Sequence, residues 1–267
     1  MAVLTISRSY QSGGHEIGRA VARQTGHTFV DKGRIYAEMK ALGEKWGRLF
    51  EETDEASPTL WEKNDWQYRG FIAQIESIIL DYALKDRAVI LGRGGNFILA
   101  DIPHILKVRL DAPLEVRVQR AIIKNETPRE TAEALIKKTD NDRAGYVRSI
   151  YKKEWGDPRY YDRIIDTSEY TQEEIVQRLV TALQEWEGRA TEEGRKKLAG
   201  RAVAAKIKAR IFGHPKIFVP TLEVFHEGDD IVLRGVIHSP QERHEIEKII
   251  EEAGGAFGVR NELRNRT

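Results

Sequence analysis

The stretch Ile6-Ser7-Arg8-Ser9-Tyr10-Gln11-Ser12-Gly13-Gly14-His15-Glu16-Ile17-Gly18 limits what this chain can fold into more than any other. An apolar run, Ala2 to Ile6, leads into it. A segment with helical spacing leaves it, placing Ile17, Ala20 and Val21 on one face. Strand, small-residue turn and helix in that order make a seat for a phosphate: the turn offers backbone N–H groups and the helix N-terminus a favourable field. Gly13 and Gly14 matter because a side chain there would hold an anion off the backbone. The stretch departs from the usual phosphate-loop pattern G-x-x-x-x-G-K-[ST]. Arg8 stands at the first glycine, Gly14 at the lysine and Glu16 at the Mg²⁺-binding hydroxyl. On pattern alone, a plain glycine turn between a strand and a helix is an equal reading.

The rest of the first part supplies a context for that turn. Short apolar runs alternate with helical patterns: Thr28–Val30 ending at Asp31, Ala88–Leu91 closed by Gly92-Arg93-Gly94-Gly95, Ile105–Leu110 closed by Asp111-Ala112-Pro113, and Arg163–Asp166. Gly70–Leu84 carries Phe71, Ile75, Ile78, Ile79 and Tyr82 on one helical stripe, and Leu114–Ile123 reads as a helix. Thr171 with Glu174 three residues on is a helix start, and that helix reaches Trp186. The stretch Ala37–Trp66, charged and carrying three tryptophans, reads as inserted helices. Strands separated by helices predict an α/β fold, a five-stranded parallel sheet covered on both faces with the first strand in the middle. Ligands then bind beyond the carboxyl ends of the strands, which carry the glycine loop, Asp31, Arg93 and Asp111.

The pattern changes near residue 188. Gly188–Gly200 is polar, charged and bounded by glycines, and reads as a linker that is helical in part. Beyond it, Val203, Ala204, Ile207 and Ile211 mark a helix, Thr221–His226 and Ile231–Ile237 two strands, Pro240–Ala253 a helix and Phe257–Leu263 a third strand. The expected organisation is a first domain over 1–187, a linker over 188–200 and a small α+β unit (α-β-β-α-β) over 201–267, with the piece Gly200–Thr267 folding alone. A formal charge of +1 singles out neither nucleic acid nor anionic membrane as partner. The absence of cysteine excludes disulfides and thiolate chemistry. No leader-like segment and no apolar run of membrane-spanning length is seen, so a cytoplasmic protein is expected.

From about Leu4 to Leu183 the chain resembles the cytidylate kinase-like family of nucleoside monophosphate kinases. The resemblance rests on five motifs in order: the loop Ile6–Ile17; Asp31-Lys32-Gly33-x-Ile35-Tyr36; Gly92-Arg93-Gly94-Gly95; Asp140-x-x-Arg143; and Trp155-Gly156-Asp157-Pro158-x-x-Tyr161-Asp162. It implies a phosphate-loop kinase-like fold and a nucleoside monophosphate kinase, with CMP as one acceptor, using ATP and Mg²⁺. It implies that Arg8, Ser12, Gly13, Gly14, His15 and Glu16 hold the ATP phosphates. Asp31, Lys32, Arg69 and Arg93 would hold the monophosphate, and Arg143, Asp31 and His15 would take part in the chemistry. Each assignment has a structural alternative. Arg93 would pair with Asp31 or Asp111, Asp31 would cap the turn that follows it, and Arg69 would simply begin the long helix. From about Ala202 to Leu263 the chain resembles a BON domain through Gly235-Val236-Ile237 and Gly258-Val259. That module is generally associated with phospholipid or protein contacts.

The departures bear on catalysis. Gly14 supplies no ammonium and Glu16 no hydroxyl to Mg²⁺, and no metal site built by the protein is assigned. His15 stands where the family often has Arg, and Lys32 where cytidylate kinases have a Ser near the sugar. Phosphoryl transfer is positioning plus charge stabilisation. A catalytic protein therefore needs a replacement cation, whereas a non-catalytic nucleotide-binding module, localised or regulated through its C-terminal unit, needs only the loop.

Overall fold

The computed structural model describes residues 2–53, 57–59, 61–253 and 255–266. Strand β1 (Val3–Arg8) is the middle of a five-stranded, all-parallel sheet of order β2-β3-β1-β4-β5. The others are β2 (Thr28–Val30), β3 (Ala88–Leu91), β4 (Ile105–Asp111) and β5 (Arg163–Asp166). Thr5 lies opposite Ile90 on one side and Lys107 on the other.

The continuous apolar character of β1 follows from burial on both faces. Leu4 and Ile6 join Val89, Leu91 and Val108 under α1 (Gly14–Thr25), where Ile17 and Val21 meet Leu179 and Leu183 of the final helix of this layer, Gln172–Glu187. Val3, one residue out of phase, joins Ile90 and Ile105 on the opposite face. There α2 (Lys32–Ala41), α3 (Glu44–Thr53) and α4 (Trp66–Leu84) supply Ile35, Phe50, Ile75 and Ile79. Parts of the inserted stretch, residues 54–56 and 60, lie outside the described residues. Next in chain order are a single turn, α5 (Gly95–Ile98), then α6 (Leu114–Asn125), the long α7 (Arg129–Tyr151) and α8 (Gln172–Glu187). Caps set several starts. Asp31 accepts from Arg34 N at 3.0 Å, Asp65 from Tyr68 N at 2.9 Å, and Thr171 exchanges bonds with Glu174 in a capping box.

The stretch read as a linker is mostly helix. Thr191 Oγ1 accepts from Gly194 N at 3.0 Å and starts α9, which runs without interruption from Glu192 to Gly213. Charged residues at 192–197 are good helix formers facing solvent, so polarity there marks an exposed face. The connection from α8 is only Gly188–Thr191. One side of α9, through Leu198, Ala202 and Ala205, joins the core under α4; the other, through Ala204, Ile207 and Ile211, packs with the C-terminal strands. Those are β6 (Glu223–Glu227), antiparallel to β7 (Asp230–Ile237), which pairs in parallel with β8 (Gly258–Asn265); α10 (Pro240–Ala253) closes the unit. Gly200 lets α9 approach β6, since a Cβ there would sit 2.2 Å from His226 Cδ2. Among the described residues no helix is long and apolar enough to cross a membrane.

Candidate functional site

At the carboxyl end of β1 the chain turns sharply. Ser12 closes the turn on itself, its N and Oγ both donating to Ser9 O at 3.3 and 2.9 Å. Its hydroxyl is thereby committed and the residue is buried. Gly13 adopts φ +81° and begins α1 with no side-chain cap, so the N-cap residue itself offers the first amides of the helix no acceptor. The two glycines serve different ends. A Cβ on Gly13 would meet only Ile17 Cδ1, at 3.6 Å, so the left-handed backbone is what demands glycine there. A Cβ on Gly14 would lie 2.8 Å from Arg8 Cβ and Cγ; glycine there makes room for the Arg8 side chain over the helix start.

Above the loop is a cavity of about 770 Å³. The whole stretch Arg8–Ile17 lines it, as do Asp31, Lys32 and Arg143. On the other wall are Arg120, Lys124, Ile123, Tyr170 and Ile175. Opposite charges hold this wall together. Glu16 Oε1 lies 2.6 Å from Lys124 Nζ. Burial pushes the Glu16 carboxyl up, but the Lys124 hydrogen bond and charge outweigh it and hold the group below the usual range. His15 Nε2 lies 3.2 Å from Asp31 Oδ2, with its ring edge-on to Phe29. Asp31 therefore both caps α2 and contacts His15. Arg120 grips Thr167 through Oγ1 at 2.8 Å and the carbonyl at 2.6 Å.

Helix α7 is tied to the loop at two points. Arg143 donates to Arg8 O at 3.0 Å. Asp140 accepts from Tyr10 N at 2.8 Å and from Arg117 at 2.6 Å, while Arg117 also reaches Tyr10 O and Ala112 O. Beneath, Arg109 spans Asp111 at 3.0 Å and Ser9 Oγ at 3.3 Å, stacked on Trp155. Burial raises the Asp111 carboxyl, but the Ser9 and Arg109 contacts outweigh it and the group sits below its ordinary value. Asp111 is therefore engaged by Arg109, the partner that the sequence considered for Arg93.

Two of the expected site residues stand apart from this cavity. Arg93 is buried, with φ +55° and its guanidinium 4.6 Å from the Phe50 ring centre, and lines a separate void of about 20 Å³ that Arg8 and Arg143 also border. Arg69, expected at the monophosphate, points elsewhere. Its guanidinium donates to Pro220 O and, at 3.0 Å, to Leu222 O, with the Phe212 ring 5.0 Å away. It fastens α4 to the C-terminal unit. Conversely, Arg117, Arg120 and Lys124 were not singled out from the sequence. Their spacing of three and four along α6 places them on one helix face, and that was the available signal.

For Mg²⁺ the fit is poor. The Glu16 carboxylate is tied to Lys124, the Ser12 hydroxyl is committed, and no group of three metal-ligating side chains occurs among the described residues.

A five-stranded parallel sheet with its first strand central, and a glycine turn leading from that strand into α1, define an α/β fold covered by helices on both faces. The chain belongs to the Cytidylate kinase-like family, which it matches over residues 3–169. The cytidylate kinase of Methanopyrus kandleri is 27% identical over 189 residues, covering 68% of this chain and 92% of that protein. The uronate isomerase of Corynebacterium glutamicum is 32% identical over 102 residues, 38% of this chain; the match spans only 20% of that relative's length. In fold, an uncharacterized protein from Eubacterium ventriosum superposes with a TM-score of 0.55 at 18% identity, over 69% of this chain and 99% of that one.

Proposed function

We propose that this chain is a nucleoside monophosphate kinase-type phosphotransferase that moves the terminal phosphoryl group of ATP to a monophosphate, CMP being the first acceptor to test. The observation that carries the reading is the uncapped N-terminus of α1 opening into the 770 Å³ cavity at the carboxyl end of the central strand. In this reading the amides of Gly13–His15 hold the donor phosphates, and Arg8 and Arg143 offset their charge. Ile123, Tyr170 and Ile175 form the apolar wall for a base, with Arg120 fixed beside it. Asp31, Lys32 and His15 face the acceptor side. Any Mg²⁺ would arrive with the nucleotide, and no step is assigned to it.

A binding-only reading has its own support: Gly14 carries no ammonium, and Glu16 is paired with Lys124 at 2.6 Å. In either reading the C-terminal unit, whose α-β-β-α-β order is that of a BON-like module, serves to localise the protein or contact a partner, in a cytoplasmic setting.

An ADP-release assay across a panel of nucleoside monophosphates separates the readings. Turnover with at least one acceptor is expected, and Gly13→Ala is expected to lower ATP affinity by about tenfold or more, because it combines a blocked approach with backbone strain. ATP binding without ADP release in the presence of any acceptor leaves the binding-only reading standing. Unchanged ATP affinity in a folded Gly13→Ala protein defeats the loop assignment itself.

A further inference from the structure

A second cavity, about 830 Å³, lies on a different face of the molecule, where α4, the end of α7, α9 and β6 meet. Its volume falls in the range of small-molecule sites, and junctions between folded units are where such sites concentrate. Its charge is lopsided. Lys63, Arg69, Lys152 and Lys208 line it against two carboxylates, Glu76 and Glu223. Lys208 and Glu76 pair at 3.3 Å and cancel. Arg69 is held by the Pro220 and Leu222 carbonyls, which neutralise none of its charge, and Glu223 acts on it only through space. Lys152 Nζ donates to Ser149 O at 2.7 Å, which also offsets the negative end of α7. Lys63, half-buried, has no carboxylate in pairing range among the described residues. A cleft with surplus positive charge and low-dielectric walls focuses its field on an anion.

Between these cations the lining is mixed: half-buried Ile150 from α7 lies with the edges of Ile72 from α4 and Val224 from β6, beside Asn64 and Ser149. A bare anion would leave the Ile150 side chain wet, whereas an organic phosphate would cover it.

We propose that this cleft binds a small phosphate monoester, its phosphate between Lys63, Arg69 and Lys152 and its organic part against Ile150. This goes beyond the kinase reading and does not rest on it. The bound ester would join α7, the helix that holds the phosphate loop through Asp140 and Arg143, to the C-terminal unit.

The test is calorimetric titration of ribose 5-phosphate into the full chain, with inorganic phosphate as the second probe. One site is expected, tighter for the ester than for phosphate. Lys63→Glu/Lys152→Glu, two substitutions outside the core, should weaken it by about tenfold or more, and Lys63→Arg/Lys152→Arg should retain it. Amide exchange in the same titration should slow at Ser149–Lys152 and Leu222–Phe225. Absence of binding, an affinity indifferent to the charge reversal, or protection confined to Arg8–Glu16 would each overturn the proposal. Equal affinity for phosphate and the ester would overturn the ester assignment. Failure of the kinase reading shows instead as absence of ADP release and leaves these outcomes untouched.

Discussion

The carboxyl end of the parallel sheet and the seam between α4 and α9 are built on opposite principles. At the sheet end the backbone is exposed by glycine and the side chains meet charge to charge, as in Glu16–Lys124 and Arg117–Asp140, with the His15 ring against Asp31. At the seam, small residues bring two helices close. Gly70 admits Trp46 and Phe212, while Ala73 on α4 and Ala202 and Ala205 on α9 fill the interface. The first arrangement leaves polar groups available to a ligand; the second removes apolar area from water.

The largest test of this contrast is to cut the seam. A piece ending at Glu187 would bare the α4 face, and a piece starting at Gly200 would lack the first turns of α9. Neither is expected to melt cooperatively, whereas the full chain should show one transition. Two separable transitions in the full chain would mean that the seam is only a contact. The expectation drawn from sequence is the opposite, that Gly200–Thr267 folds alone, and the melt of that piece decides between the two.

A middle-sized effect separates two ion pairs at the sheet end. Arg117 and Asp140 are largely buried, and Asp140 also accepts from Tyr10 N. Asp140→Ala should cost about 3 kcal/mol, because it leaves a buried guanidinium with two carbonyl acceptors but no counter-charge. Glu16→Ala removes a pair whose members are 43% and 60% exposed, and should cost about 0–1 kcal/mol. Chemical denaturation measures both, and equal costs would erase the distinction.

These pairs also show what the sequence could reveal. The β1-loop-α1 unit, the strands at 28–30, 88–91, 105–110 and 163–166, and the Thr171–Glu174 cap were legible because each depends on residues a few positions apart. The direction of Arg69 was not, because its acceptors, Pro220 and Leu222, lie 151 and 153 residues away. The same holds for Lys124, whose partner Glu16 is 108 residues away. The start of α9 was hidden for another reason: a charged solvent-facing helix and a linker share a composition, and only Thr191 and the buried Leu198 tell them apart.

The smallest expected effect is a pH dependence, and it belongs to the seam side. The His226 ring packs against Gly200 on α9. Burial lowers its pKa below 6.5, and Arg201 and Lys196 add to that. The Gly228 backbone and Asp229 oppose them. The folded state thus binds the proton less readily than the unfolded chain. The contribution is complete above about pH 6.5 and is lost as pH falls from there through the lowered folded value. Buried His104 shifts in the same direction, again chiefly through burial. Melting temperature should decline from pH 7 to pH 5, and His226→Asn should shallow the decline. An unchanged slope in the variant would remove His226 from the account.

The placement of α9 has a consequence for how the protein is made. The ribosome delivers α4 long before the residues that cover it. From Leu84 to Leu198 the nascent chain must still gain β3, the long helix α7 and all of α8. At about 5–20 residues per second that interval is on the order of ten seconds. Throughout it, the first-made layers carry a bare apolar strip, and a translational pause near Gly188 would prolong that exposure.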